Sequence, residues 1–300
     1  MYSATNSTRN ITKVWATAFV NMALLGSACF GQQSRQLRVC ADPNNMPYSN
    51  QQGQGFENRL AELIGKDLHE PVSYIWLRQG EKFFKQTLNA GACDVVMGVP
   101  IGFDEADTTA PYYRSTYVLI SRRDRGLHLA GLDDPQLRTL KIGVHVLSDQ
   151  EDSIPPVHAL ISRGIVRNLV GFGIFGSLGE RNPSADLIKA VADGKVDVAI
   201  AWGPLAGYFA KQSPVPLQIT PLSDDPKLPN LPFHFDIALG VRQGDRALEQ
   251  QLNAELARRA PEIRRLLNSF GIPQVPANAT TKAQGSASAR QTAADRAKGE

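Results

Sequence analysis

The chain has 300 residues, with 32 Lys and Arg against 29 Asp and Glu and a formal charge of +3. Arg9 and Lys13 supply +2 and the tail Ala277–Glu300 another +2, which leaves the core at about −1. So balanced a core lacks the basic footprint of a nucleic-acid binder, and its five histidines and three cysteines show no metal-ligand spacing.

In chain order, the apolar run Val14 to Phe30 follows two isolated bases and closes on Gly26, Ser27 and Ala28. It is shorter than the roughly 20 clean apolar residues of a membrane span. Residues 1–31 read as an export signal, so the mature chain is expected to be secreted. No later segment is apolar enough to span a membrane. Leu37–Ala41 reads as a strand and Asp42 to Pro47 as a polar turn. Phe56, Leu60, Leu63, Ile64 and Leu68 then fall on one helical face, with Glu57, Arg59, Glu62 and Lys66 opposite. Strands follow at Val72–Leu77 and Asp94–Val99, separated by a short helix around Phe83 to Leu88 that ends at Gly91.

This unit occurs twice, 103 residues apart. Leu37-Arg38-Val39-Cys40-Ala41-Asp42 aligns with Leu140-Lys141-Ile142-Gly143-Val144-His145, and Gly91-Ala92-Cys93-Asp94 with Gly194-Lys195-Val196-Asp197. The second unit reads as strand Lys141–Val146, a long Pro- and Gly-containing stretch, helix Ala185–Ala192 and strand Val196–Ala201, with Leu217–Leu222 returning as a further strand. Tyr117–Arg122 and Phe235–Val241 read as strands that cross between two lobes. Helix Leu248–Leu256, a break before Pro261, and helix Ile263–Phe270 return to the first lobe. The expected organisation is signal 1–31, lobe one 32–121, lobe two 122–235, lobe one again 236–276, and a disordered tail 277–300. The fold class is α/β, two-lobed, with a cleft between the lobes.

Cys40 ends the first strand and Cys93 begins the third. First and third strands are neighbours in a doubly wound sheet, and an exported chain meets an oxidising compartment, so the two are expected to form a disulfide. The alternative is a pair of buried free thiols.

The chain resembles the type II periplasmic solute-binding proteins in Leu37-Arg38-Val39, in Gly55-Phe56-Glu57 before an amphipathic helix, in Leu88 to Val96, and in Pro111-Tyr112-Tyr113 followed by Tyr117-Val118-Leu119. Val39 to Asn45, Cys93 to Pro100 and Thr109 to Tyr117 are similar to the MoxJ/XoxJ-like branch. That resemblance implies a two-lobed binding-type protein accompanying periplasmic quinoprotein alcohol dehydrogenases, which use pyrroloquinoline quinone (PQQ) with calcium or a lanthanide. Nothing in the chain calls for a cofactor of its own.

Amino-acid-binding members of the wider family carry Thr-x-x-Arg after the third strand, and the Arg clamps the ligand carboxylate. Here Ile101 to Ala106 contains no Arg, which disfavours an α-amino acid ligand. Arg114 is expected near the hinge, and Asp236 could match a second anchoring acid of that family.

Binding crevices lie at the carboxyl ends of strands. That rule selects Asp42, Asn44, Asn45, Tyr48, Val99, Ile101 and Phe103 from lobe one. From lobe two it selects His145, Ser148, Asp149, Phe172, Phe175, Trp202 and Tyr208. Asp42 and Asn44 have the alternative role of shaping a turn, Trp202 of packing the core, and His145 of a structural hydrogen bond. Gly171 to Gly176 has the wrong spacing for phosphate and reads as an aromatic loop. No spacing of Asp104, Glu105, Asp42 or His145 fixes an acid–base geometry, so the chain reads as non-catalytic. Two functions remain. One is assistance or maturation of a quinoprotein methanol or alcohol dehydrogenase; the other is solute binding for an ABC importer of a small non-amino-acid ligand.

Overall fold

The structure, a computed structural model, describes residues 35–146, 154–174 and 182–276. The expected signal and tail, and Ser148, Asp149 and Phe175, lie outside the described residues. Among the described residues no helix is long and apolar enough to cross a membrane.

Lobe one opens with β1 (Leu37–Ala41), two short paired strands β2 (Asn44–Asn45) and β3 (Ser49–Asn50), α1 (Phe56–Leu68), β4 (Val72–Trp76), α2 (Phe83–Gln86), β5 (Val95–Pro100) and β6 (Asp107–Thr108). The long β7 (Tyr113–Arg122) leads into β8 (Ile142–Val146), α3 (Pro155–Ser162), β9 (Leu169–Gly173), α4 (Asp186–Ala192), β10 (Val198–Trp202), α5 (Gly203–Lys211) and β11 (Leu217–Pro221). The chain returns through β12 (His234–Val241) and ends in α6 (Arg246–Ser269). The strand order is β4-β1-β5-β12-β7-β10-β8-β9, with β11 beside β7 and β6 beside β12.

β7 serves both halves of this order. Its first residues, Tyr113–Thr116, pair antiparallel with His234–Ile237 of β12, and Tyr117–Arg122 pair with β10 and β11. β7 and β12 therefore join two sheet halves, each with its own cores. Helices α1 and α6 cover lobe one over Phe56, Leu60, Leu239 and Leu252. Leu119, Leu160 and Phe233 fill one face of lobe two, and Ile120, Leu187 and Leu205 the other.

The internal repeat is physical. Val39 pairs with Val95 in the parallel β1–β5 ladder, and Ile142, 103 residues on, pairs with Val198 in β8–β10. Gly91 and Gly194 both turn at φ 72°, a left-handed conformation that glycine adopts without a Cβ penalty. The Asp three residues later then folds back on the strand opening. Asp94 Oδ2 accepts from the Arg38 N–H at 3.2 Å, and Asp197 Oδ2 from the Lys141 N–H at 2.8 Å. In return the Asp94 N–H donates to the Arg38 carbonyl at 2.8 Å and the Asp197 N–H to the Lys141 carbonyl at 2.9 Å. The Gly-x-x-Asp motif thus stitches the first strand of each unit to the third. In lobe one the stitch is reinforced. Arg38 holds Asp94 with Nε at 3.0 Å and Nη2 at 2.6 Å, and Arg242 donates to the Cys93 carbonyl. Cys93 itself is bonded to Cys40 across 53 residues. In lobe two the corresponding carboxylate, Asp197, has Arg125 at 2.9 Å and no disulfide.

Several expected elements differ. The return segment is one helix through Pro261, not two. A proline inside a helix costs about 3 kcal/mol. Leu248, Leu252, Leu256, Ile263 and Leu267 nevertheless stay in phase on one buried stripe. Each contributes about 1.5–3 kcal/mol, which outweighs the break. Part of the Gly171–Gly176 run is not loop but the strand β9, paired with β8. Glu57, expected on the solvent face of α1, is buried at 8 % exposure.

Candidate functional site

A cavity of about 900 Å³ lies between the two sheet halves. β1 delivers Asp42 to its wall, and the turn that follows brings Asn44, Asn45, Met46 and Tyr48. From lobe two, β8 delivers His145, β10 ends on Trp202, and α5 carries Tyr208. Seven of the residues selected from the sequence are thus brought together: Asp42, Asn44, Asn45, Tyr48, His145, Trp202 and Tyr208. Four are not. Val99 is fully buried beside Cys40 and Phe83, Phe103 packs on Phe84 at 4.6 Å between ring centroids, and the Ile101 N–H donates to the Asp236 carbonyl. Phe172 lies over Gly143 in the lobe-two core, because β9 is an edge strand whose side chains alternate.

Each Asp42 carboxylate oxygen accepts a backbone N–H. Oδ1 accepts from the Asn44 N–H and Oδ2 from the Gln79 N–H, both at 2.8 Å. Its role at the wall is to hold the turn. His145 is buried and donates through Nε2 to the Ser184 carbonyl at 3.3 Å; burial lowers its pKa to about 4, so the ring is neutral near pH 7. Tyr48 and Trp202 approach each other across the cleft. Trp202 also packs edge-on against Tyr117 and Phe235, and Tyr208 stacks on Phe270 at 5.7 Å. The Met46 N–H points at Asn182 Oδ1 at 3.4 Å, a link between the lobes.

Sequence reasoning missed Glu57, Tyr113 and a set of amides: Asn50, Gln51, Gln52, Gln54 and Asn182. Glu57 is the chemically pointed one. Its carboxyl lies over Gly98 of β5, where a Cβ would stand 2.3 Å from Oε1. A side chain at 98 would fill the slot the acid occupies. Burial alone raises the Glu57 pKa to about 8; no hydrogen bond or ion pair contributes. The Gly55-Phe56-Glu57 phrase carried the only signal, and helical periodicity pointed the other way.

Arg114 and Asp236 do not line the cavity. They pair with each other, Nε to Oδ1 at 2.7 Å and Nη2 to Oδ2 at 2.5 Å, on directly opposed positions of β7 and β12. At the position after β5 where amino-acid sites carry their carboxylate-binding arginine, Ile101 to Ala106 has none. Among the described residues no cluster of His, Cys, Asp and Glu could hold a metal ion.

Two α/β lobes joined by two strands, with a walled cavity at the strand ends between them, define a periplasmic binding protein of the type II fold. The chain is 30 % identical over 255 residues to Protein MoxJ of Methylorubrum extorquens, spanning 80 % of this chain and 82 % of that protein. It belongs to the MoxJ family. It is also 25 % identical over 248 residues to Protein MoxJ of Paracoccus denitrificans, covering 81 % of this chain and 90 % of that one. The crystal structure of the periplasmic binding protein XoxJ from Methylobacterium extorquens AM1 superposes with a TM-score of 0.66 and 34 % identity, over 80 % of this chain and 99 % of that one. No family model matches the chain.

Proposed function

We propose that the protein is a non-catalytic periplasmic factor that assists or matures a quinoprotein methanol or alcohol dehydrogenase, the enzyme class that uses PQQ. The observation that carries this reading is a MoxJ-family chain whose cavity, about 900 Å³, is walled largely by aromatic rings and amides and lacks the arginine that follows the third strand in amino-acid sites. Such a cleft suits a segment of a folded partner better than an amino acid. Two strands form the joint, so the lobes can part to admit a bulky occupant. The boundaries 32–121, 122–235 and 236–276 describe the lobes that would move.

Deletion of the gene tests the reading. The dehydrogenase should still reach the periplasm but with lower activity and incomplete loading of PQQ or its metal ion, restored by complementation. Full loading and normal activity in the deletion strain would overturn it. The importer reading rests on the shared fold and makes a different demand: loss of uptake of a small solute with the dehydrogenase untouched.

A further inference from the structure

Glu57 is a buried acid facing a cavity, with no partner among the described residues to account for its retention. Leaving a carboxyl in such a place costs the fold stability unless something else meets it. The groups around it are arranged for a positive charge. Tyr48, Trp202 and Tyr208 line the same cavity, and aromatic faces attract cations. The amide oxygens of Asn and Gln side chains supply acceptors for N–H donors. The ionisable groups that sense Glu57 are the hydroxyls of Tyr48, Tyr74, Tyr112 and Tyr113, all raised by burial and neutral near pH 7. Elsewhere on the wall, both Asp42 oxygens accept backbone N–H groups and His145 is neutral. Arg78 lines the wall too and has a partner of its own.

We propose that the cleft recognises a primary ammonium group, seated on the cavity side of the Glu57 carboxyl where that acid lies over Gly98. The group belongs either to a free alkylamine or to a lysine side chain offered by a partner protein. A volume of about 900 Å³ accommodates a lysine together with its flanking backbone. Capture ionises Glu57: the carboxyl proton passes to solvent and the carboxylate pairs with the ammonium. Binding is therefore accompanied by proton release near neutral pH, because burial keeps the empty site protonated.

Calorimetry on the purified mature protein tests this without the dehydrogenase, so it can fail independently of the maturation reading. The probes are n-butylamine and Nα-acetyl-lysine methylamide, each against its uncharged isostere, 1-butanol and Nα-acetyl-6-hydroxynorleucine methylamide. At least one amine should bind roughly tenfold or more tightly than its isostere. The measured heat should change with the ionisation enthalpy of the buffer. Preference for butylamine identifies a free amine, and preference for the lysine derivative alone identifies a partner side chain. Glu57→Gln should abolish the preference while remaining folded by thermal unfolding. Gly98→Ala keeps the acid but displaces it, and should weaken the preference as well. Amines that bind no better than their isosteres, no binding by about 10 mM, or an amine preference intact in Glu57→Gln would overturn the proposal.

Discussion

Arg114 and Asp236 face each other across the two strands that join the lobes, and their bidentate ion pair sits where β7 and β12 run side by side. The guanidinium is 9 % exposed and the carboxylate 16 %. Hydrogen bonding to Asp236 raises the Arg114 pKa further. The acid that in a relative could anchor a ligand is here part of the joint itself.

Removing one partner should therefore act on stability and lobe movement rather than on ligand contact. Asp236→Ala is expected to cost about 2–5 kcal/mol, largely because it leaves the Arg114 charge poorly compensated. The double variant Arg114→Ala/Asp236→Ala should cost less than the sum of the single changes. Urea unfolding of the three variants checks this, and strict additivity would show that the pair is not coupled.

The Cys40–Cys93 bridge closes a 53-residue loop around α1, β4 and α2. The chain-entropy model gives about 4 kcal/mol for a loop of that length. Cys40→Ser/Cys93→Ser should unfold at markedly lower denaturant, and mass spectrometry of the unreduced protein should find the linked peptides. Free thiols at both positions would contradict the structure.

Glu57 should leave a mark on the pH profile of stability. Its pKa is about 8 in the fold against 4.5 for a free carboxyl. The native state thus holds the proton more tightly, so this contribution is full below pH 4.5, falls as pH rises and is lost above about 8. His145 acts oppositely: with a folded pKa near 4 against 6.5, its contribution is present above pH 6.5 and lost toward pH 4. Glu57→Gln removes only the first effect. It should match the wild type near pH 5 and exceed it by roughly 2 kcal/mol or more at pH 8. Parallel stability curves would mean that the carboxyl is already ionised and solvated.

Free α-amino acids should not bind at micromolar affinity. Arg114 is committed to Asp236, and the segment Ile101 to Ala106 after β5 supplies no arginine to clamp a ligand carboxylate. Calorimetry against the twenty amino acids checks this; a single micromolar isotherm would restore the importer reading.

Trp202 lines the cavity from lobe two and approaches Tyr48 in lobe one. If a dehydrogenase segment enters the cleft, Trp202→Ala should weaken the contact by about 2 kcal/mol or more. Tyr208→Ala provides an independent check at a second position. Surface-based binding measurements with the purified enzyme decide it; unchanged affinity in both variants would place the interface elsewhere.

Much of the frame was legible because the repeat encodes it. The 103-residue offset read from Gly91 and Gly194 is the offset of the strand register itself, and neighbouring first and third strands made the disulfide foreseeable. The seven residues that reach the cavity follow mostly from strand ends, which a sequence shows well. What was not legible depends on distant approach. Glu57 sits in the first turn of a helix whose other Glu and Lys residues face water, and only the missing side chain at Gly98 makes room for it. Val99, Ile101 and Phe103 also sit at or beyond a strand end, but β12 and α2 cover that side. The continuity of α6 through Pro261 was hidden because propensity marks a break there, and only tertiary packing overrides it.

The two copies of the Gly-x-x-Asp stitch are unequal. Lobe one carries a disulfide and two arginines at its stitch, whereas among the described residues the lobe-two stitch carries a single ion pair, so lobe one is the more firmly braced of the two. Amide hydrogens of β1 and β5 should then exchange more slowly than those of β8 and β10. Equal rates in the two strand pairs would show that the extra bonds of lobe one add no local stability.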